Sequence, residues 1–248
     1  MDEFRLLMEF HIEDERQGPG GTVETKRAIE LAGLNKVDQL RIADIGCGTG
    51  ASTLVLAKEL NAHITAIDLF PEFLNKLETQ AQKMNLQNIS TKAISMENLP
   101  FDEESLDVIW SEGAIYNIGF KEGAESWIKY LKKGGILAVT EITWLTKNRP
   151  REIEGFWSTE YPQIARASEK LKILEESGYK ILGYFPLPKS CWIENYYRPL
   201  EGRFSFFLES KKNSEEAQQL VEMEQREIEL YEKYSGYYSY GFYIASKI

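Results

Sequence analysis

The sequence predicts an α/β fold built on a doubly wound parallel sheet, and three observations predict it. Short apolar runs alternate with helical patterns through the first half of the chain. A glycine cluster, Asp44-Ile45-Gly46-Cys47-Gly48-Thr49-Gly50, stands where the first such run gives way to a helix. Asp68 closes the next run, about twenty residues further on.

Taken in order, TVETKRAIELAGL from Thr22 has helical apolar spacing, with Thr22 as its N-cap and Gly33 near its end. LRIADIG reads as a strand, STLVLAKEL as a helix, HITAID as a strand, and PEFLNKLETQAQKM as a helix with Pro71 at a permitted first-turn position. NISTKAI is a third strand; DVIWSEG and GILAVTEI are the fourth and fifth. Between them EGAESWIKYLKK predicts a helix that stops at Gly134-Gly135. Such alternation implies right-handed crossovers and a parallel sheet covered on both faces.

Beyond Glu141 an aromatic-rich stretch, TWLTKNRPREIEGFWSTEYP, interrupts the alternation before the helical EKLKILEES and the strand YKILGYFPL. A charged helix from Glu215 to Lys233 and a last strand in YYSYGFYIASKI follow. The expected organisation is one domain, 1–248: an N-terminal helical segment over 1–36, a core over 37–142, and cap elements over 143–176 and 190–236.

Composition narrows the function. At 248 residues, with 43% hydrophobic and 27% charged residues, the chain has material for one core plus an elaboration. A net charge of −10 opposes phosphate backbones and anionic membranes, so no nucleic acid partner and no membrane insertion are expected. Cys47 and Cys191, the two cysteines, are too few for a disulfide framework and lack zinc-ligand spacing. A cytoplasmic protein without a metal is the expectation, the acidic N-terminus having no signal-peptide apolar region.

The glycine cluster carries the chemistry. Glycines at 46, 48 and 50 let the backbone approach a ligand, and the following helix offers N–H groups and a positive dipole end to an anion. Asp68 stands where a carboxylate accepts hydrogen bonds from ribose hydroxyls. Together they describe an adenosine site. Gly46, Gly48 and Ala51 also satisfy the dinucleotide pattern G-x-G-x-x-G/A, which keeps an NAD(P)-dependent dehydrogenase as the rival.

The residues resemble the class I S-adenosylmethionine-dependent methyltransferases, whose glycine motif reads D-x-G-x-G-x-G. Ser95-Met96-Glu97-Asn98-Leu99-Pro100-Phe101, the following Ser105-Leu106-Asp107-Val108-Ile109, and Leu131-Lys132-Lys133-Gly134-Gly135-Ile136-Leu137 are similar to later segments of that family. The likeness covers Leu40 to Glu141 and leans toward small-molecule enzymes of the ubiquinone/menaquinone C-methyltransferase kind.

It implies S-adenosylmethionine as cofactor, S-adenosylhomocysteine as product, and a Rossmann-like sheet of seven strands whose last strand is antiparallel. Asp44 and Gly46 would face the amino-acid part, Gly48 and Gly50 would shape the loop, and Asp68 with Leu69 would hold the ribose. Met96 and Glu97 would lie beside the adenine and Ser111 beside the cofactor. Ser95 replaces an aspartate that many relatives place before that methionine. Ser111-Glu112-Gly113-Ala114 stands where amino-directed nucleic-acid enzymes of the superfamily carry an Asn/Asp-Pro-Pro-aromatic motif.

On the acceptor side, Glu112 is the first candidate base, with Tyr116 and His11 beside it; a carboxylate there could equally orient substrate. His63 opens a strand and reads as structural. Trp144, Trp157, Tyr161, Trp192, Tyr196 and Tyr197 would wall a small-molecule acceptor or pack the core, about half each way. The charged helix reads as a solvated face, with a homodimer contact as its second reading. A non-catalytic S-adenosylmethionine-binding regulator is the non-enzyme alternative.

Overall fold

The computed structural model describes residues 3–248; the first two residues of the expected 1–248 domain and 1–36 segment lie outside the described residues. Strands β1 (Leu40–Ile45), β2 (Ala62–Asp68), β3 (Ile89–Ala93), β4 (Leu106–Ser111) and β5 (Leu131–Trp144) are parallel. The first two crossovers are α3 (Ala51–Glu59) and α4 (Pro71–Lys83); α5 (Phe120–Trp127) precedes β5. The sheet order is β3-β2-β1-β4-β5-β8-β7, where β7 is Tyr179–Pro186 and β8 is Tyr238–Lys247. β8 enters antiparallel between β5 and β7, as expected of the last strand.

Among the described residues the sheet has eight strands and not the expected seven. β4 pairs with β5 as far as Val139, so the long strand β5 keeps a free edge beyond it. The two-residue strand β6 (Ala165–Arg166) takes up that edge at Thr143 and Trp144. A segment of two residues carries no periodicity, which is why the sequence does not show it.

Alternate residues of each central strand enter opposite cores, and both are apolar because helices cover both faces. Ile42, Ile64, Val108 and Ala138 pack with α2 (Thr22–Leu31) and α3. Ala43, Ile67, Ile109 and Leu137 pack with α5 and Leu174 of α7 (Ala167–Glu176). Two local expectations shift. Gly21, not Thr22, is the N-cap residue of α2. The helix expected over 122–133 ends at Trp127, since Leu131 is already drawn into the sheet opposite Leu106.

The cap gathers α6 (Arg151–Glu160), α8 (Lys189–Trp192), α9 (Arg198–Glu201), α10 (Phe204–Ser210) and α11 (Glu215–Tyr234). A π-helical stretch, Ile193–Tyr197, joins α8 to α9 and turns Tyr196 and Tyr197 to different surroundings. Trp192 stacks on Tyr231 at 4.4 Å and donates to Ser239 Oγ at 3.0 Å, fastening cap to sheet. The N-terminal helix α1 (Glu3–His11) lies against α10: Phe10 packs on Phe204 and Phe207, and Arg203 donates to Phe10 O and to Asp14.

Candidate functional site

β1 and β4 are neighbours whose following connections run to opposite sides, so their carboxyl ends open a crevice, the position where α/β sheets bind ligands. The glycine turn is pinned there, with Gly46 N and Cys47 N both donating to Ile67 O at the end of β2, 2.8 and 3.0 Å away. Gly46 takes φ +70°, and a Cβ on it would run into the side chain of Ala114. Gly50 takes φ +94° as the N-cap residue of α3, where a Cβ would strike Leu77. Side chains are barred at both positions by conformation and by space.

Asp68 fixes the turn from β2. One of its oxygens accepts from Gly48 N at 2.9 Å and the other from Phe70 N at 3.0 Å. Burial raises its carboxyl, and these backbone donors oppose the rise. The turn's own N–H groups are largely satisfied within the chain. Gly50 N donates to Cys47 O, and Thr49 N donates to Gln17 Oε1 at 2.9 Å. Gln17, from the loop after α1, thus stands against the motif that the sequence assigns to an anion.

Asp44 is wholly buried behind this turn. Its Oδ2 accepts from Ser52 at 2.9 Å and Thr53 at 2.6 Å, while Oδ1 has no partner. Burial pushes the carboxyl up to about 7 against those two hydroxyls. Ser111 is equally buried and donates to Ile45 O at 2.8 Å, bracing β4 against β1. Asp44, Gly50 and Ser111 therefore stand behind the wall of the crevice and not on it.

The crevice is one cavity of about 740 Å³, a volume usual for a small-molecule or cofactor site. Its sheet end is lined by Gly46, Gly48, Asp68, Leu69, Met96 and Glu97, which the sequence analysis grouped as cofactor residues. Met96 is held by its carbonyl, which accepts from Trp127 Nε1 at 3.2 Å. Ser95 lines the cavity too, its hydroxyl 3.3 Å from Glu97 N. His11, Glu112 and Tyr116 line the same cavity.

Glu112 is nearly enclosed and fully engaged. Its Oε1 accepts from Thr25 at 2.7 Å and Trp110 Nε1 at 2.9 Å, and its Oε2 pairs with Arg16 at 3.3 Å. A carboxylate with three donors is poorly placed to take a proton. His11 is buried with Nδ1 3.4 Å from Asp14 and Nε2 3.8 Å from Glu224. Tyr116 sits edge-on to Tyr161 at 6.1 Å with 42% of its surface exposed. Cys47 lines the cavity, but burial raises its thiol strongly, which argues against a nucleophile. His63 lies off the cavity, 3.3 Å from Ser90.

Of the cap aromatics, Trp157, Tyr161, Trp192 and Tyr196 line the cavity. Trp144 packs on Tyr238 under Arg149, and Tyr197 is buried with its hydroxyl donating to Glu227 at 2.7 Å. The structure adds residues that sequence reasoning missed: Arg16 and Gln17 from the N-terminal loop, Glu160 from α6, Glu224 and Glu227 from α11, and Tyr240 from β8. Burial, with Glu227 and Asp14 nearby, pushes Glu224 up to about 8. Burial also raises Glu227 against the donor hydroxyl of Tyr197.

A family profile described as methyltransferase domain matches residues 36–201. The chain is 34% identical over 112 residues to a ubiquinone/menaquinone biosynthesis C-methyltransferase of Campylobacter jejuni, covering 42% of this chain and 45% of that one. It is 28% identical over 122 residues to a malonyl-[acyl-carrier protein] O-methyltransferase of Dechloromonas aromatica, covering 48% and 44%. The chain thus spans about half the length of the curated relatives it matches. The crystal structure of a methyltransferase from Geobacter sulfurreducens, solved with S-adenosyl-L-homocysteine, superposes with a TM-score of 0.83 at 16% identity over 98% of both chains. That likeness extends over the whole fold, cap included.

Proposed function

The chain belongs to the methyltransferase domain family, and on that footing we propose that it binds S-adenosylmethionine and passes the methyl group in line to a small-molecule acceptor. The observation that carries this reading is the single cavity running from the Asp68-braced glycine turn to the aromatic chamber of the cap. The residues fit the cofactor: Asp68 stands at the end of β2 on the cavity wall for a ribose, and Asp44, buried behind the turn, would hold the start of α3 in place through Ser52 and Thr53. Leu69, Met96 and Glu97 would complete the adenosine side, and Gly46, Gly48 and Gly50 would keep the turn close. Ser111 would brace that wall from behind.

When bound, the cofactor supplies an electrophilic methyl group on a sulfonium. The chain's own contribution is position and enclosure, which supply a large share of the rate in a displacement of this kind. Tyr116 and His11 face the acceptor space and would orient it; Glu112, held by three donors, would anchor the N-terminal loop over the site in place of acting as base. An NAD(P)-dependent dehydrogenase and a non-catalytic binder gain nothing from the family match.

Buried free thiols at Cys47 and Cys191 support a reducing, cytoplasmic setting. Among the described residues no helix is long and apolar enough to cross a membrane. The net charge of −10 supports an acceptor other than nucleic acid. The exposed Met223 on α11 is the feature that a homodimer contact would use.

Thermal unfolding with S-adenosylmethionine, S-adenosylhomocysteine, NAD or NADP tests the cofactor. Ligand at about 100 times its dissociation constant adds about 2.7 kcal/mol and raises the midpoint by several degrees. The first two alone should do so; a shift with a nicotinamide cofactor alone would make the protein a dehydrogenase.

A further inference from the structure

The cap half of the cavity has a composition that the cofactor does not explain. Six aromatic rings bound it: Tyr116, Trp157, Tyr161, Trp192, Tyr196 and Tyr240. Three carboxylates, Glu160, Glu224 and Glu227, face the same space, and no lysine lines it. The arginine that lines it, Arg16, is already paired with Glu112.

Glu224 Oε2 is shut off from solvent and receives no hydrogen bond. Its other oxygen has His11 Nε2 at 3.8 Å, beyond hydrogen-bond distance. Leaving a carboxyl oxygen enclosed without a donor is costly, and a positive ligand group beside it would remove that cost. Glu227, which lines the same cavity, accepts one bond from Tyr197 at 2.7 Å. Aromatic faces add a second, independent attraction for a cation, which strengthens when the cation is desolvated.

We propose, resting on the methyltransferase reading, that this chamber takes an acceptor carrying a cationic amine, whose ammonium lies against Glu224 and Glu227 among the aromatic rings. Glu224 and Glu227 are then the residues that set specificity. A neutral quinone-like acceptor would leave Glu224 Oε2 without a partner; an anionic one would find Arg16, the arginine that lines the cavity, already paired with Glu112.

The full-length protein, with and without saturating S-adenosylhomocysteine, is titrated calorimetrically with two isosteric pairs: phenethylamine against 2-phenylethanol, and choline against 3,3-dimethylbutan-1-ol. At least one cation should bind about tenfold more tightly than its neutral partner. Glu224→Gln/Glu227→Gln should abolish that preference while the thermal shift with S-adenosylhomocysteine persists. Equal binding of cation and neutral partner in both pairs, no binding included, overturns the proposal, as does a preference that survives the double substitution. Absence of any shift with S-adenosylhomocysteine would instead strike the cofactor reading, and the isostere comparison on the protein alone would still decide the charge of the chamber.

Discussion

Arg16 Nη1 lies 3.3 Å from Glu112 Oε2, and both side chains are almost wholly enclosed, Arg16 10% and Glu112 6% exposed. The pair ties the loop after α1 to the residue following β4, so the N-terminal segment closes one side of the cavity by an ionic latch. Gln17 continues the closure by bonding Thr49 through both its amide oxygen and nitrogen. A ligand in the cavity is enclosed by this loop as well as by the sheet.

The latch makes a prediction about roles. Arg16→Met leaves Glu112 with two neutral donors in place of three and should lower stability by about 1–3 kcal/mol, read from urea unfolding. Glu112→Gln should weaken S-adenosylhomocysteine binding modestly and keep most of kcat. A collapse of kcat with unchanged cofactor affinity would restore Glu112 as the base.

Asp68 both shapes the turn and faces the cavity, so its removal has two separable readouts. Asp68→Ala should cost about 1–3 kcal/mol of affinity for S-adenosylhomocysteine through unpaired hydroxyls. It should also lower the ligand-free thermal midpoint, because Gly48 N and Phe70 N lose their acceptor. Affinity equal to wild type would remove Asp68 from the ribose site.

Much of the sheet and of the sheet end of the cavity was legible in the sequence because short-range signals define them. Alternating apolar runs gave β1 to β5, and one turn plus one strand end gave Gly46, Gly48 and Asp68. The cap side of the cavity was less legible, being assembled from α1, α6, α11 and β8, far apart in the chain. A signal was nevertheless present in α11: Val221, Glu224, Ile228 and Tyr231 follow one another at helical spacing, so Glu224 lies on the inward face among buried residues. Reading that helix as a solvated face averaged this carboxylate away. Arg16 and Gln17 gave no such signal, since a loop's docking partner is set by tertiary contact alone.

Asp44 makes stability depend on pH in a definite direction. Its carboxyl titrates near 3.8 unfolded and is pushed up to about 7 in the fold by burial. The folded state therefore binds the extra proton, so the contribution is full below about pH 4 and is lost as pH rises to about 7. The loss is on the order of 4 kcal/mol. Asp44→Asn, which keeps an acceptor for Ser52 and Thr53, should flatten the fall between those limits. Urea unfolding at pH 4.5, 6 and 7.5 checks it; parallel profiles for the two proteins would contradict the assignment.

Beneath the chamber wall, Lys170 Nζ reaches Glu141 Oε1 at 3.0 Å, with both side chains at most 1% exposed. Burial lowers the lysine and raises the glutamate, and their attraction opposes both shifts. Lys170 also lies over the Phe120 ring at 4.7 Å and near Tyr161 at 5.7 Å. Glu141 has a second oxygen with no partner, so it depends on this one cation. Lys170→Met should therefore destabilise by about 3–5 kcal/mol, because it strands a buried carboxylate. Adding Glu141→Leu should restore most of the loss, since replacing a whole buried pair by apolar residues is often close to neutral. Equal unfolding midpoints for the single and double variants would show that the lysine acts through packing on Phe120 and Tyr161 and not through its charge.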